Sequence, residues 1–367
     1  MPVSISGTSG ITFPDGSLQT AAASPLVLRN RIINGDMRID QRNAGASVTI
    51  NAAAYTFTMD RWGAYGQATD GVYTVQRSTT APTGFVNSLL ATVTTADASI
   101  GASQFYVLRH PIEGLNIADL NWGTANAVTV TLSFWVRSSL TGTFSGSLTN
   151  GGYNRSYPFS YTISSANTWE YKTITITGDT TGTWATDNTT GINVYIDLGS
   201  GSSNKGTAGA WTGSGLVGTT GSVNLIGTNG ATFYITGVQL EQNTSATPFE
   251  RRLYGQELAN CQRYFYALEG GGNINYAWGS SVSTSLALAP IYPPVRMRVT
   301  PTSITSTNPR VFNINTGVVV TSGTYALNSN SSSTVITLEY NQVGAFSNAQ
   351  LVIMNNNSGT LGFSAEL

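Results

Sequence analysis

The spacing of apolar residues constrains this chain most. Between residues 28 and 250 they fall in short alternating runs, each interrupted by Gly, Asn, Ser, Thr or Pro before a helix could be completed. Alternation with a period of two fits a pleated strand with one covered face. It predicts strands at 28–39, 47–50, 71–77, 89–94, 103–111, 127–137, 142–149, 157–162, 169–177, 192–198 and 231–240. Many short strands separated by turn residues, with no long amphipathic helix between them, argue for an all-β sandwich rather than a βαβ fold.

The stretch 231–268 organises the rest. It begins as a strand carrying Phe233, Ile235, Val238 and Leu240, with Gly237 as the expected bulge. Pro248 stops the ladder, and Glu250, Arg251 and Arg252 concentrate charge in a joint. From Gly255 onward, Leu258, Cys261, Tyr264 and Phe265 recur at spacings of three and four, which predicts about three helical turns. Residues 269–367 then read as a second β-module, with Pro293 and Pro294 breaking its early strands. At the other end, Val3, Ile5, Ile11 and Phe13 alternate ahead of a Pro14, Asp15, Gly16 turn, predicting a hairpin over 1–27. A two-stranded unit is marginal alone in water, so this hairpin must pack on something or attach to it. The expected fold is thus all-β: an N-terminal β-hairpin at 1–27, a β-sandwich at 28–250, a short helical joint at 251–268 and a C-terminal β-module at 269–367.

Composition narrows the function classes. Charged residues make up 10% of the chain, against about a quarter in ordinary soluble domains. Lys172 and Lys205 are the only lysines and the net charge is −1, which argues against a phosphate-tracking groove or a polybasic membrane surface. Cys261 stands alone, so neither an intrachain disulfide nor a cysteine zinc site is available. No apolar run approaches the ~20 residues of a membrane span, and the first residues have no secretory pattern, so a chain made in a host cytoplasm is expected. After Glu269 the only charges are Arg296, Arg298, Arg310, Glu339 and Glu366. A module so short of charge is expected to pack around a threefold axis, where sister chains cover its edges.

Three blocks carry a resemblance. Asn34, Gly35, Asp36, Met37, Ile39, Gln41 and Arg42 form the first, and Asp60, Arg61 and Trp62 the second. The third runs GVQLEQNTSATPFERRLYGQELANCQRYF from Gly237 to Phe265. Together they resemble segments of bacteriophage tail-fibre and related virion proteins. Asn260 departs from the apolar or small residue expected at its place. The strand order of the sandwich is similar to the galactose-binding-like jelly-roll of many carbohydrate-binding modules. The resemblance implies a homotrimeric virion protein exposed on a phage tail or another exterior position. The run ITFPDGSLQTA from Ile11 to Ala21 also resembles a short element near the ends of phage fibre proteins, which implies attachment to other virion proteins or trimer packing, and the ligand expected of such an adhesin is bacterial surface polysaccharide.

Chemistry is sparse. The single histidine, His110, lies before Pro111 and reads as a strand-end hydrogen bonder, and no nucleophile elbow, metalloprotease helix or P-loop occurs. Asp36, Asp40 and Asp60 lie near Arg38, Arg42 and Arg61 and are expected to form buried ion pairs rather than a hydrolytic pair. No catalytic residue is expected. Sugar binding needs only aromatic faces beside polar groups, and the candidates are Tyr153, Asn154, Arg155 and Tyr157 in one loop, Trp184, and Trp211 in the Gly- and Ser-rich segment 199–230. Trp211 either plugs the end of the sandwich or faces a ligand. Trp62, Trp135 and Trp169 read as core. No cofactor is expected, and nothing in the spacing selects ligands for a structural calcium ion. The leading expectation is a non-enzymatic receptor-binding fibre. A structural virion component and a glycan depolymerase are the alternatives.

Overall fold

The computed structural model of the chain describes residues 4–6, 10–12, 18–19, 29–67, 70–271, 275–356 and 358–367. At the N-terminus β1 (Ser4–Ser6), β2 (Gly10–Thr12) and β3 (Leu18–Gln19) form a three-stranded antiparallel sheet, one strand more than a hairpin. The predicted Pro14–Gly16 turn lies outside the described residues. The sandwich strands are β4 (Val48–Ile50), β5 (Tyr55–Met59), β6 (Trp62–Tyr65), β7 (Val72–Ser78), β8 (Ser88–Thr95), β9 (Phe105–Glu113), β10 (Val130–Ser138), β11 (Gly142–Asn150), β12 (Ser156–Ile163), β13 (Glu170–Ile176) and β14 (Thr190–Ser200). They are completed by the short pair β15 (Lys205–Gly206) and β16 (Gly218–Thr219) and by β17 (Thr232–Glu241). One six-stranded sheet has the order β13-β10-β17-β8-β7-β4 and the other β12-β11-β14-β9-β6-β5. The chain passes back and forth between them, as in a jelly-roll.

The core lies between these sheets. Leu132, Phe134 and Val136 of β10 and Phe233 and Ile235 of β17 meet Phe144, Leu148, Val194 and Ile196 of the opposing sheet, all fully buried. Ten of the eleven predicted strands appear close to their expected limits. The exception is 28–39: residues 29–47 form turns and extended loop without a strand. Asn34 and Met37 adopt left-handed backbone angles there, φ 58° and 59°, which no ladder accommodates. The apolar residues are buried nonetheless, as Ile32, Met37 and Ile39 of a folded loop. Four strands escaped prediction: β5 and β6, which pair around Asp60 and Arg61, and the short parallel pair β15 and β16 within the Gly-rich segment.

The joint is a single helix, α1 (Tyr254–Gln262), shorter than the spacing suggested because Phe265 already belongs to the next strand. Its buried residues are Glu257 and Cys261, and Cys261 packs with Tyr264, Ile33 and Ile39. The C-terminal strands are β18 (Phe265–Gly271), β19 (Asn275–Ser281), β20 (Leu286–Ile291), β21 (Ser303–Ser306), β22 (Pro309–Asn313), β23 (Val318–Val320), β24 (Thr324–Leu327), β25 (Ile336–Asn341), β26 (Leu351–Asn356) and β27 (Ser358–Ser364). They make a three-stranded sheet, β18-β27-β21, and a seven-stranded one, β23-β22-β26-β19-β20-β25-β24. Val311, Met354, Leu338, Tyr340, Leu361 and Phe363 form their shared core.

Candidate functional site

Parts of all three recognisable blocks meet at one buried junction between sandwich, helix and C-terminal module, and the residues that reach it are committed there. Asn34 donates from Nδ2 to the carbonyls of Ile39 (2.7 Å) and Asp60 (3.0 Å), while the Trp62 indole donates to the Asn34 carbonyl at 3.1 Å. Arg252 meets Glu257 at 3.0 Å and donates to the carbonyls of Ile32 and Asn30. Arg263 and the Tyr264 hydroxyl both donate to Glu113, at 2.9 and 2.6 Å. Arg298 then grips the end of the chain, donating to the carbonyls of Ala365 (2.7 Å) and Glu366 (2.6 Å).

The ion pairing differs from expectation. Asp36 pairs with Arg38 at 2.6 Å, but Arg42 and Arg61 both reach Glu366 rather than Asp40 or Asp60. Sequence proximity was a poor guide because strand ends distant in sequence close over these residues. Asp40 instead accepts from the amides of Asn43 and Gly45, and Asp60 from the amide and side chain of Gln41. Burial pushes the Asp60 carboxyl up to about 6, against the pull of Arg42 and the Gln41 donors. His110 is fully enclosed within β9 rather than at a strand end, and its Nε2 accepts from the Ile33 amide at 3.4 Å. Burial, then Arg61 and Arg109, hold it far below the usual imidazole range, so it is neutral.

A different surface has binding geometry. On the outer face of the first sheet Trp135 of β10 lies directly across from Tyr171 of β13, with ring centroids 5.4 Å apart. Phe85 and Phe249 meet edge to face at 5.3 Å, and the Arg251 guanidinium lies 4.7 Å from the Phe85 ring centre. With Gly237, Thr247 and Pro248 these residues line an open groove of about 490 Å³. That volume lies in the range of about 300–1,000 Å³ usual for small-molecule sites. The aromatic surface continues along the same face: Arg137 pairs in register with Tyr234 and stacks over its ring at 5.0 Å, and Trp169 abuts Tyr234 at 6.0 Å.

The local sequence builds this groove. Ser133 pairs with Gln239 but Trp135 pairs with Thr236, so β17 carries one extra residue around Gly237, the predicted bulge. Gly237 has φ +61°, and a Cβ there would lie 2.6 Å from the Phe85 ring, so glycine is what allows Phe85 to close over the strand. Trp135 and Trp169 are therefore outward residues, not core as their strands suggested; Trp62 is core. Parity carried the missing signal. Phe134 and Val136 share the inner face, which leaves Trp135 pointing out.

The residues singled out in the sequence fall elsewhere. Trp122, Trp184 and Trp211 form a triad with ring centroids 4.7–5.4 Å apart, and Tyr157 abuts Trp211 at 5.2 Å. Tyr157 and Trp184 are buried, and the Trp211 indole donates to the Thr177 carbonyl at 2.7 Å, so the triad plugs one end of the sandwich. Arg155 donates through Nε and Nη2 to Asp179, at 2.7 and 2.8 Å. Burial pushes the Asp179 carboxyl up, but Arg155 and the Thr181 donors outweigh it and hold it below its usual range. Asn154 lines a polar hollow with Asn150, Thr183 and Thr190, and Tyr153, with φ 53°, is the one strongly exposed aromatic of this loop. Segment 199–230 packs back onto the sandwich: Leu225 and Ile226 enter the core, and Val217 packs on Val107 and Tyr195 of the second sheet. Among the described residues no three His, Cys, Asp or Glu gather where they could hold a metal ion.

No protein-family model matches this sequence, and no curated protein matches it. Several solved structures are similar over about half of the chain. The family 11 carbohydrate-binding module from Clostridium thermocellum, in complex with a β-1,3-1,4-mixed-linked tetrasaccharide, is 10% identical, covering 56% of this chain and 100% of that one with a TM-score of 0.28. The module TmCBM61, in complex with β-1,4-galactotriose, is 11% identical over 50% of this chain and 88% of its own, at 0.26. The enzymatically active domain of bacteriophage CBA120 tailspike protein 4 is 11% identical over 58% of this chain and 21% of its own, at 0.30. At these scores the assignment of an all-β sandwich rests on this chain's own strand pairing.

Proposed function

We propose that this chain is a non-enzymatic, homotrimeric phage virion protein that attaches multivalently to glycans on the bacterial surface. The observation that carries the reading is the groove of Trp135, Tyr171, Phe85 and Phe249 with Arg251 at its edge. Aromatic faces stack on the apolar side of pyranose rings, and a guanidinium reads hydroxyl or anionic oxygens. No carboxylate lines the groove, so it has the equipment of a binding site and lacks the acid pair of a glycosidase. Single sites of this kind are weak, and display on a trimer raises avidity without new contacts. The virion setting is supported by the three sequence blocks. The exposed apolar face of the C-terminal module supports assembly, and the N-terminal strands provide the attachment segment.

The test is binding of the purified protein to extracted bacterial surface polysaccharides, with released reducing ends measured on the same samples. Saturable binding that falls at least tenfold in Trp135→Ala, without sugar release, is the expected result. Binding unchanged in Trp135→Ala would remove the groove from the account, and released sugar would point to a depolymerase. A folded trimer that binds none of the polysaccharides would favour a structural virion component.

A further inference from the structure

On the opposite sheet, we infer a second binding site: the buried Arg109 guanidinium is a receptor for the carboxylate of an acidic sugar. Three arginines are buried among the described residues: Arg61, Arg109 and Arg252. Arg61 is paired with Glu366 and Arg252 with Glu257. Arg109, 6% exposed, forms no ion pair. Its Nε donates to the Asn193 Oδ1 at 2.8 Å and its guanidinium lies 4.7 Å from the Tyr55 ring centre. Neither Nη finds a protein acceptor, and neither is among the sealed polar atoms of the interior, so both remain open to a small oxyanion. A buried charge is ordinarily paired, because desolvation otherwise outweighs what it gains.

The surroundings are those of a sugar subsite. In the register of the second sheet Arg109 stands between Gly63 of β6, which contributes no side chain, and Tyr195 of β14. The Tyr55 hydroxyl donates to that of Tyr195 at 2.9 Å, so two phenol hydroxyls flank the guanidinium that lies over the Tyr55 ring. The one nearby carboxylate on this face, Asp197, is already held by Ser145 (2.9 Å), Ser222 (3.2 Å) and the Gly199 amide (2.9 Å). The two free Nη groups form a planar fork that matches a carboxylate bidentately. Val217 of segment 199–230 packs on Val107 and Tyr195 in the neighbouring part of this face, and Phe57 stands across from Gly63 on the other side. An oxyanion could be a uronic-acid carboxylate or a phosphate. The flat aromatic and hydroxyl neighbours favour the carboxylate borne on a pyranose ring.

The inference rests on the glycan reading for the scaffold that bears the carboxylate but uses a separate surface, so the two can fail separately. The experiment follows the Arg109 Nε–Hε resonance of the full chain while oligogalacturonate or oligoglucuronate is added. Carboxyl-reduced forms of the same oligomers and inorganic phosphate serve as controls. The expected result is a saturable shift with the uronates, at least tenfold weaker binding of the reduced forms, and no displacement by equimolar phosphate. Arg109→Met should abolish the binding. Arg109→Lys, which keeps the charge but loses the fork, should weaken it about tenfold, and Trp135→Ala should leave it intact. A resonance that none of the uronates moves overturns the inference, as does uronate binding unchanged in a folded Arg109→Met. Displacement by phosphate would overturn the carboxylate assignment, and loss of the shift in Trp135→Ala would place the binding in the other groove.

Discussion

Phe134 and Trp135 are neighbours in sequence with opposite fates, one sealed in the core and the other facing the groove. The same contrast separates Trp211 from Trp135. Because Trp211 packs on Trp122 and Trp184 and donates to Thr177, Trp211→Ala should act as a cavity mutation. A loss of roughly 2–4 kcal/mol in denaturant titration is expected, with glycan affinity at the groove retained in the folded fraction. A stable Trp211→Ala protein that fails to bind would assign the triad to the ligand instead. Asp60 makes a pH-dependent prediction. Its carboxyl rises from 3.8 to about 6 on folding, so between those values the native state holds the proton more tightly than the unfolded chain. This contribution is fully present below about pH 4 and is lost as pH rises through 6, a term on the order of 3 kcal/mol. Arg42, Glu366, Cys261 and Gln41 surround the group, so the clean comparison is the slope of stability against pH in wild type and Asp60→Asn. The variant should lack the decline between pH 4 and 6, and parallel slopes would show that Asp60 titrates normally.

At the scale of elements, strand existence was legible wherever alternation was clean, as in β10, β14 and β17, and so was the bulge at Gly237. Illegible were the elements whose residues are fixed by partners remote in sequence. Residues 28–39 looked like a strand because Ile32, Met37 and Ile39 are apolar, yet from residue 29 on the Asn34 side chain and its bond to Asp60 fold them into a loop. The Gly-rich segment 199–230 looked poor in core residues, though Leu225 and Ile226 suffice to anchor it beneath its turns. The candidate groove was hidden for a related reason: Trp135 and Tyr171 meet through sheet register, and Phe85 and Phe249 reach them from loops distant in sequence. That construction makes the bulge a sensitive point. Gly237→Ala must accommodate a Cβ at φ +61° and 2.6 Å from Phe85, so a destabilisation of about 1–3 kcal/mol is expected, together with weaker glycan binding as Phe85 is displaced. Retention of wild-type affinity and melting temperature would mean that the bulge does not position Phe85.

For the whole molecule, the C-terminal module sets the assembly question. Its seven-stranded sheet buries one face, while the other carries Val319, Phe312, Ile353 and Trp278 in direct register across β23, β22, β26 and β19. Leu351 extends this row, and Trp278 and Leu351 are 64% and 56% exposed. Contiguous apolar surface of this kind marks an interface. The face carries little charge: Arg310 lies on it two residues from Phe312, and along the line through Leu351 the first carboxylate is Glu339, on the far side of β20. A charged partner would bury unpaired groups there, whereas sister copies of the same face would not, and the proposed trimer places its seam there. Helix α1 is a poorer seam, since Cys261 and Glu257 already face Tyr264 and Arg252 within the chain. The double substitution Trp278→Glu, Leu351→Glu should therefore convert the assembly to monomers by light scattering, because like carboxylates would be brought together out of water. Its affinity for a short oligosaccharide should be unchanged, since the groove lies on another sheet. Retention on immobilised polysaccharide should fall by about a hundredfold or more, the factor that multivalency supplies. A variant that keeps its mass would exclude this face as the seam, and a monomer that retains full avidity would show that adhesion does not depend on assembly.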